Sequence, residues 1–195
     1  IYTLSLHDAL PISSWSRRMT GRSLSAPVRP GTLRRKGAFE MSEMRLKVLP
    51  PNCRKFGKEL SNPDNFQQGL LVDEKLLERL TGILMQSDHN NIALVGDPGV
   101  GKTATVQALG QFLVRTNQSF RLAEIDLNLL FAECPTYSEQ GLRLKHLFRE
   151  AEEHSIVLFF DEGHRLCNDH GSNSVANIVK PLVTNPRLQL ILATT

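Results

Sequence analysis

Residues 96–103 read Gly-Asp-Pro-Gly-Val-Gly-Lys-Thr, a spacing of residue types suited to holding a polyphosphate. Gly96, Gly99 and Gly101 let the backbone curl so that successive N–H groups point at phosphate oxygens. Asp97, Pro98 and Val100 fill the turn between them, and Ala104 follows it. Lys102 supplies a mobile point charge for the β- and γ-phosphates, and the Thr103 hydroxyl can ligate Mg²⁺. The stretch is preceded by the apolar run Ile92–Val95. It is followed by Val106, Leu109 and Leu113 at helical spacing, with Phe112 alongside. A strand, a glycine loop and a helix in that order form a P-loop, and they predict a nucleoside triphosphate as ligand.

A second group of residues completes such a site. Ile156-Val157-Leu158-Phe159-Phe160 is a continuous apolar run of the kind buried on both faces of a sheet, and it ends in Asp161-Glu162. Asp161 can hold the Mg²⁺ hydration shell opposite Thr103. Glu162 is placed to polarise a water for in-line attack on the γ-phosphate of ATP. A carboxylate pair at a strand end also serves as a helix cap. The P-loop lysine 59 residues upstream tips the balance toward chemistry.

Other segments must position these groups. Leu77, Leu80 and Leu84 predict a helix from Asp73, with Asp73 and Glu74 favourable at its start. A second strand is expected over Arg121–Leu127 and a helix over Glu139–Glu153, with Leu144, Leu147, Phe148 and Ala151 on one face. A further helix should carry Val175, Ile178, Val179 and Leu182, kinked at Pro181. A last strand runs from Leu188 to Ala193 and leads into Thr194-Thr195. Strands alternating with helices imply an open parallel α/β sheet whose ligand lies beyond the carboxyl ends of the strands.

Charge is unevenly spread. Residues 1–60 hold 12 Lys/Arg against 4 Asp/Glu, whereas residues 61–195 hold 11 against 16. The mildly acidic part contains the loop and the acids, so nucleic acid is not an expected partner of it. Cys53, Cys134 and Cys167 are odd in number and form no CxxC pair, which speaks against a disulfide framework or zinc site and for a reducing, cytoplasmic setting. No apolar run approaches the roughly 18 residues of a spanning helix, and no membrane partner is expected.

Ile1–Ser13 resembles the translation of a sequencing adapter, and Leu10–Phe39 has no acid and many Arg and Ser. Residues 1–43 are therefore expected to be a non-native or disordered basic leader. Residues 44–68 read as an irregular approach segment, and residues 69–195 as a partial ATPase domain.

Residues 56–195 resemble the first ATPase module of the Clp-type AAA+ unfoldases and disaggregases. The resemblance rests on Glu78-Arg79 with Ile83-Leu84, Asn90-Asn91, GDPGVGKTA, LFFDEGH, ANIVKP and LILATT in that order. It implies a three-layer parallel sheet of the P-loop NTPase kind, with Lys102 and Thr103 as Walker A and Asp161 and Glu162 as Walker B. Thr195 would be a polar sensor between metal and γ-phosphate, and Leu70 and Leu71 would flank the adenine. Tyr137 resembles the pore residue that grips a threaded polypeptide. A homo-hexameric ring, polypeptide substrates and a partner peptidase are implied in the same way. Three departures stand out: Val72-Asp73 replaces a Gly-Arg near the adenine, the segment between Tyr137 and Leu144 is one residue short, and Gly163 replaces an apolar residue.

The family's fifth strand, helical lid and arginine finger would follow Thr195. The expectation is thus an incomplete sheet with an unpaired apolar edge at the P-loop strand and weak turnover by this chain alone. Three rivals share parts of the pattern. A DExH helicase would need a longer interval between Lys102 and Asp161. A loader or initiator acting on nucleic-acid machinery shares the ATP site. A nucleotide-gated, non-catalytic adaptor would not need Glu162.

Overall fold

The computed structural model describes residues 2–5, 48–167, 177, 181 and 185–195. Among these residues six strands form one sheet: β1 (Tyr2–Ser5), β2 (Gly57–Glu59), β3 (Ile92–Val95), β4 (Arg121–Ile125), β5 (Ile156–Phe160) and β6 (Leu190–Thr194), in the order β1-β3-β6-β5-β4-β2. All neighbours are parallel except β2, which runs antiparallel to β4. Because β3, β6 and β5 are adjacent and parallel, their carboxyl ends meet along one edge. That edge carries the glycine loop, the threonines and the acid pair.

Helices cover both faces. α1 (Pro51–Phe56), α4 (Leu127–Phe131), α5 (Tyr137–Glu153) and α6 (His164–Cys167) lie on one side; α2 (Glu74–Leu84) and α3 (Lys102–Arg115) lie on the other. The two-residue period of the strands sorts the core accordingly. Ile156, Leu158 and Phe160 join Leu144, Leu147 and Phe148 in one cluster. Val157 and Phe159 join Leu80, Leu109 and Leu113 in the other. All five residues of β5 are buried, as a strand covered on both faces requires.

Local signals set several boundaries. Asp73 Oδ1 accepts from the Lys75 N–H at 3.0 Å and starts α2. Thr136 and Glu139 form a reciprocal capping box, so α5 begins at Tyr137, two residues earlier than its apolar periodicity suggests. β4 stops at Ile125 where a strand to Leu127 was expected. Asp126 Oδ1 accepts from the N–H groups of Asn128 and Leu129 at 2.8 and 3.2 Å, which opens α4 instead. β6 spans Leu190–Thr194, shifted from the expected Leu188–Ala193.

Two expectations about the front of the chain need correction. Tyr2–Ser5, set outside the fold by sequence, pairs with Ile92–Val95 in parallel register, and Leu4 is buried in the α2–α3 cluster. The outer edge of β3 is therefore paired, because an extended Tyr-Thr-Leu-Ser segment satisfies its backbone groups. Residues 44–68, read as irregular, contain α1, β2 and a 3₁₀ turn at Pro63–Asn65. Their anchors are distant in sequence. Glu59 makes a two-point ion pair with Arg121, at 2.9 Å for each contact. The expected helix around Val175, Ile178, Val179 and Leu182 falls outside the described residues, apart from helical Asn177 and Pro181.

Candidate active site

The loop after β3 is tied down at its start, where the Gly96 N–H donates to the Thr194 carbonyl at 3.3 Å. Gly99 and Gly101 have φ of 82° and 94°, the left-handed region that side chains disfavour. α3 begins directly at Lys102 with Gly101 as its cap. A glycine cap has no side chain to bond the leading N–H groups, which leaves them available to an anion. Lys102 is buried, and its Nζ donates to the carbonyls of Gly96 at 2.8 Å and Asp97 at 3.0 Å. The ammonium is thereby held over the loop with a third donor to spare.

Thr103, one residue on, reaches across to β5: its Oγ1 donates to Asp161 Oδ2 at 2.6 Å. Asp161 Oδ1 accepts from the N–H of Glu162 at 3.0 Å. Glu162 is exposed and takes φ of 53°, an uncommon conformation for a residue with a side chain. The Gly163 N–H donates to the Ala193 carbonyl at 2.7 Å, which stitches this turn to β6. Glu124 on β4 is half-buried, and burial, then the neighbouring Asp161 charge, push its carboxyl above the usual range.

These groups share a cavity of about 370 Å³ lined by Pro98, Gly99 and Gly101–Ala104 from the loop, by Asp161, Glu162 and His164, and by Thr194 and Thr195. The expected loop, metal and base residues thus meet in one place. Gly96, Asp97 and Val100 shape the loop without lining the cavity. Sequence reading gave a role to Thr195 alone; its neighbour Thr194 also lines the cavity, and its Oγ1 lies 3.4 Å from His164 Nδ1. The Asp-Glu-x-His spacing was the available signal for His164, but its contact with Thr194 is tertiary. Leu70 and Leu71 do not line the cavity. Leu70 packs against the α2–α3 cluster and Leu71 is 85% exposed. Tyr137 stands at the start of α5, 44% exposed, and is also apart from the cavity. A larger hollow of about 500 Å³ lies by the Arg121–Glu59 pair and contains neither the loop nor the acids. Chemistry, not size, selects between the two.

A P-loop at the head of a helix, with an Asp-Glu pair on a nearby parallel strand, defines a nucleotide-binding α/β protein. Residues 92–195 match the model of the ATPase family associated with various cellular activities (AAA), and the chain belongs to that family. It is 35% identical over 131 residues to the chloroplastic chaperone protein ClpC4 of Oryza sativa subsp. japonica, covering 63% of this chain and 14% of that protein. It is 32% identical over 160 residues to the chaperone protein ClpB of Malacoplasma penetrans, covering 76% of this chain and 22% of the relative. Among solved structures, the S. cerevisiae Hsp104:casein complex in its extended conformation aligns with a TM-score of 0.64 and 28% identity, over 74% of this chain and 26% of Hsp104. The chain therefore spans about a seventh to a quarter of the length of these relatives.

Proposed function

We propose that residues 69–195 form the nucleotide-hydrolysing part of a Clp-like machine that unfolds or remodels polypeptides with ATP. The observation that carries this reading is the 2.6 Å Thr103–Asp161 contact beside Lys102, with Glu162 on the same cavity wall. In it the glycine loop and the head of α3 bind the phosphates, and Lys102 compensates charge on the β- and γ-groups. Thr103 and Asp161 offer the oxygen donors that Mg²⁺ prefers, one hydroxyl and one carboxylate. The ion, when bound, would neutralise charge that develops on the phosphoryl group. Glu162 orients and deprotonates the attacking water. Thr195 reports the γ-phosphate to the end of β6.

The Clp and Hsp104 relatives support a hexameric ring; identical subunits, polypeptide substrates, a peptidase partner and a cytoplasmic setting belong to the same proposal. Tyr137, exposed at the head of α5, is assigned to the substrate pore. Leu70 and Leu71 are assigned to the adenine side. Replacing Glu162 by Gln in the intact protein tests the core of this reading. Retained ATP binding with abolished turnover, measured by filter binding and phosphate release, is the expected result. Normal turnover would remove Glu162 from the reaction.

A further inference from the structure

Gly163 is a departure from the resemblance noted above, and the structure gives it a reason. Its backbone lies outside the left-handed region, so conformation does not demand glycine there. Space does. A Cβ built at position 163 would stand 2.8 Å from Leu192 Cβ, 3.2 Å from its Cδ2 and 3.4 Å from its Cα. Real side chains do not approach at the first distance. The obstructing atom is fixed to the β6 backbone, so a rotamer change cannot relieve it. Leu192 in turn is pinned in register against Phe160 and Ala93.

We infer that Gly163 and Leu192 form a size-matched pair whose contact positions the Glu162 carboxylate. This rests on the reading of Glu162 as the base. Glu162 sits between two fixed points. On one side its N–H is bonded to Asp161 Oδ1; on the other, the Gly163 N–H is bonded to the Ala193 carbonyl at 2.7 Å. The Glu162 carbonyl accepts from the Arg165 N–H at 2.9 Å, so the left-handed turn leads straight into α6. With both ends tied, a residue larger than glycine at 163 must push the turn away from β6. Glu162, the strained residue next to it, moves first. Leu192 is thus a positioning residue that touches no phosphate. The complementary arrangement, a large residue at 163 facing glycine at 192, would keep the volume and the turn.

The test compares Gly163→Ala, Gly163→Leu, Leu192→Gly and the Gly163→Leu/Leu192→Gly swap in the intact protein that contains this chain. Turnover, nucleotide affinity by a fluorescent ATP analogue and melting temperature are measured for each. Gly163→Leu is expected to lower kcat about 100-fold, the scale of a 1 Å misplacement, while affinity stays near the parent value. The swap should recover most of that loss. Gly163→Ala, the milder change, is expected to lose kcat in the same direction if Gly163→Leu fails to fold. Adding Leu192→Gly should rescue Gly163→Ala; adding Leu192→Ala should not, because alanine keeps the opposing Cβ. Parent-like kcat in both Gly163 variants, or equal rescue by Leu192→Ala and Leu192→Gly, overturns the pairing. Glu162→Gln measured alongside separates the two readings. If it is inactive while the swap fails to rescue, the pair falls and the base stands; if it turns over normally, the base assignment falls and the positioning role with it.

Discussion

Thr103 Oγ1 and Asp161 Oδ2 lie 2.6 Å apart, joining the first turn of one helix to the end of a strand 58 residues later in the chain. The contact sets two oxygen donors side by side below the phosphate-binding loop. Removing the hydroxyl while keeping the shape should therefore weaken metal use more than nucleotide binding. Thr103→Val is expected to raise the Mg²⁺ concentration for half-maximal turnover by about 10–100-fold, as losses around metal ligands commonly do. ATP affinity in the absence of Mg²⁺ should change little, and Thr103→Ser should behave like the parent. An unchanged Mg²⁺ titration for Thr103→Val would sink the assignment.

Asn91 fastens the opposite, amino-terminal end of the strands that carry this site. Its Oδ1 accepts from the buried Leu190 N–H at 2.7 Å, where β6 begins beside β3. The adjacent Asn90 Nδ2 donates to the Pro186 carbonyl at 2.7 Å, so both amides fasten the chain entering β6. Asn91→Ala would strand a buried N–H, at a cost of about 1–3 kcal/mol. A melting temperature lower by roughly 2–12 °C is expected, with the cavity chemistry retained once the protein is folded. Thermal unfolding of the variant checks the number, and an unchanged melting temperature would show that the amide is dispensable.

The parts legible in sequence were those whose residue types have few other uses. Three glycines ahead of Lys-Thr fit a phosphate loop, and five apolar residues before Asp-Glu fit a doubly covered strand. The parts that escaped depend on distant partners. Gly57–Glu59 has no alternation to reveal a strand, and its place comes from β4 pairing and the Arg121 guanidinium. Asp126 was absorbed into an apolar stretch although its carboxylate caps α4, because a helix of five residues leaves almost no periodic trace. The Thr194–His164 contact joins two segments that only the sheet brings together. Tyr2–Ser5 was set aside on the character of the segment around it, yet its β-favouring residues fit an open edge.

Glu150 makes the docking of α1 depend on pH. Its carboxylate accepts from the N–H groups of Asn52 and Cys53 at 3.1 and 2.8 Å and from Asn52 Nδ2 at 2.8 Å. Burial works to raise its pKa, but these donors outweigh it and hold the carboxyl below its usual range. Burial, and then the neighbouring Glu150 carboxylate, push the Cys53 thiol up to about 12, so it stays protonated and unreactive at neutral pH. A carboxyl with a depressed folded-state pKa adds stability above its unfolded value, and loses it as pH falls through the folded one. Glu150→Gln should therefore melt below the parent at pH 7, and the gap should close below about pH 4. Parallel melting curves across pH 3–7 would show that the carboxylate charge plays no part.

Glu124 carries the opposite sign. It faces Lys58 across the β2–β4 pair, but burial and then the charge of Asp161 raise its pKa above the ordinary value. A carboxyl whose folded-state pKa is raised favours the fold while protonated and loses that advantage as pH climbs through the raised value. At pH 7 the charged form is then a liability that a neutral isostere avoids. Glu124→Gln is expected to melt about 1–2 °C higher than the parent at pH 7, the scale of a few tenths of a kcal/mol. The advantage should vanish as pH falls through the raised value, where the parent carboxyl takes up its proton. A variant that melts lower at pH 7 would mean that Lys58 attracts Glu124 more strongly than Asp161 and burial oppose it.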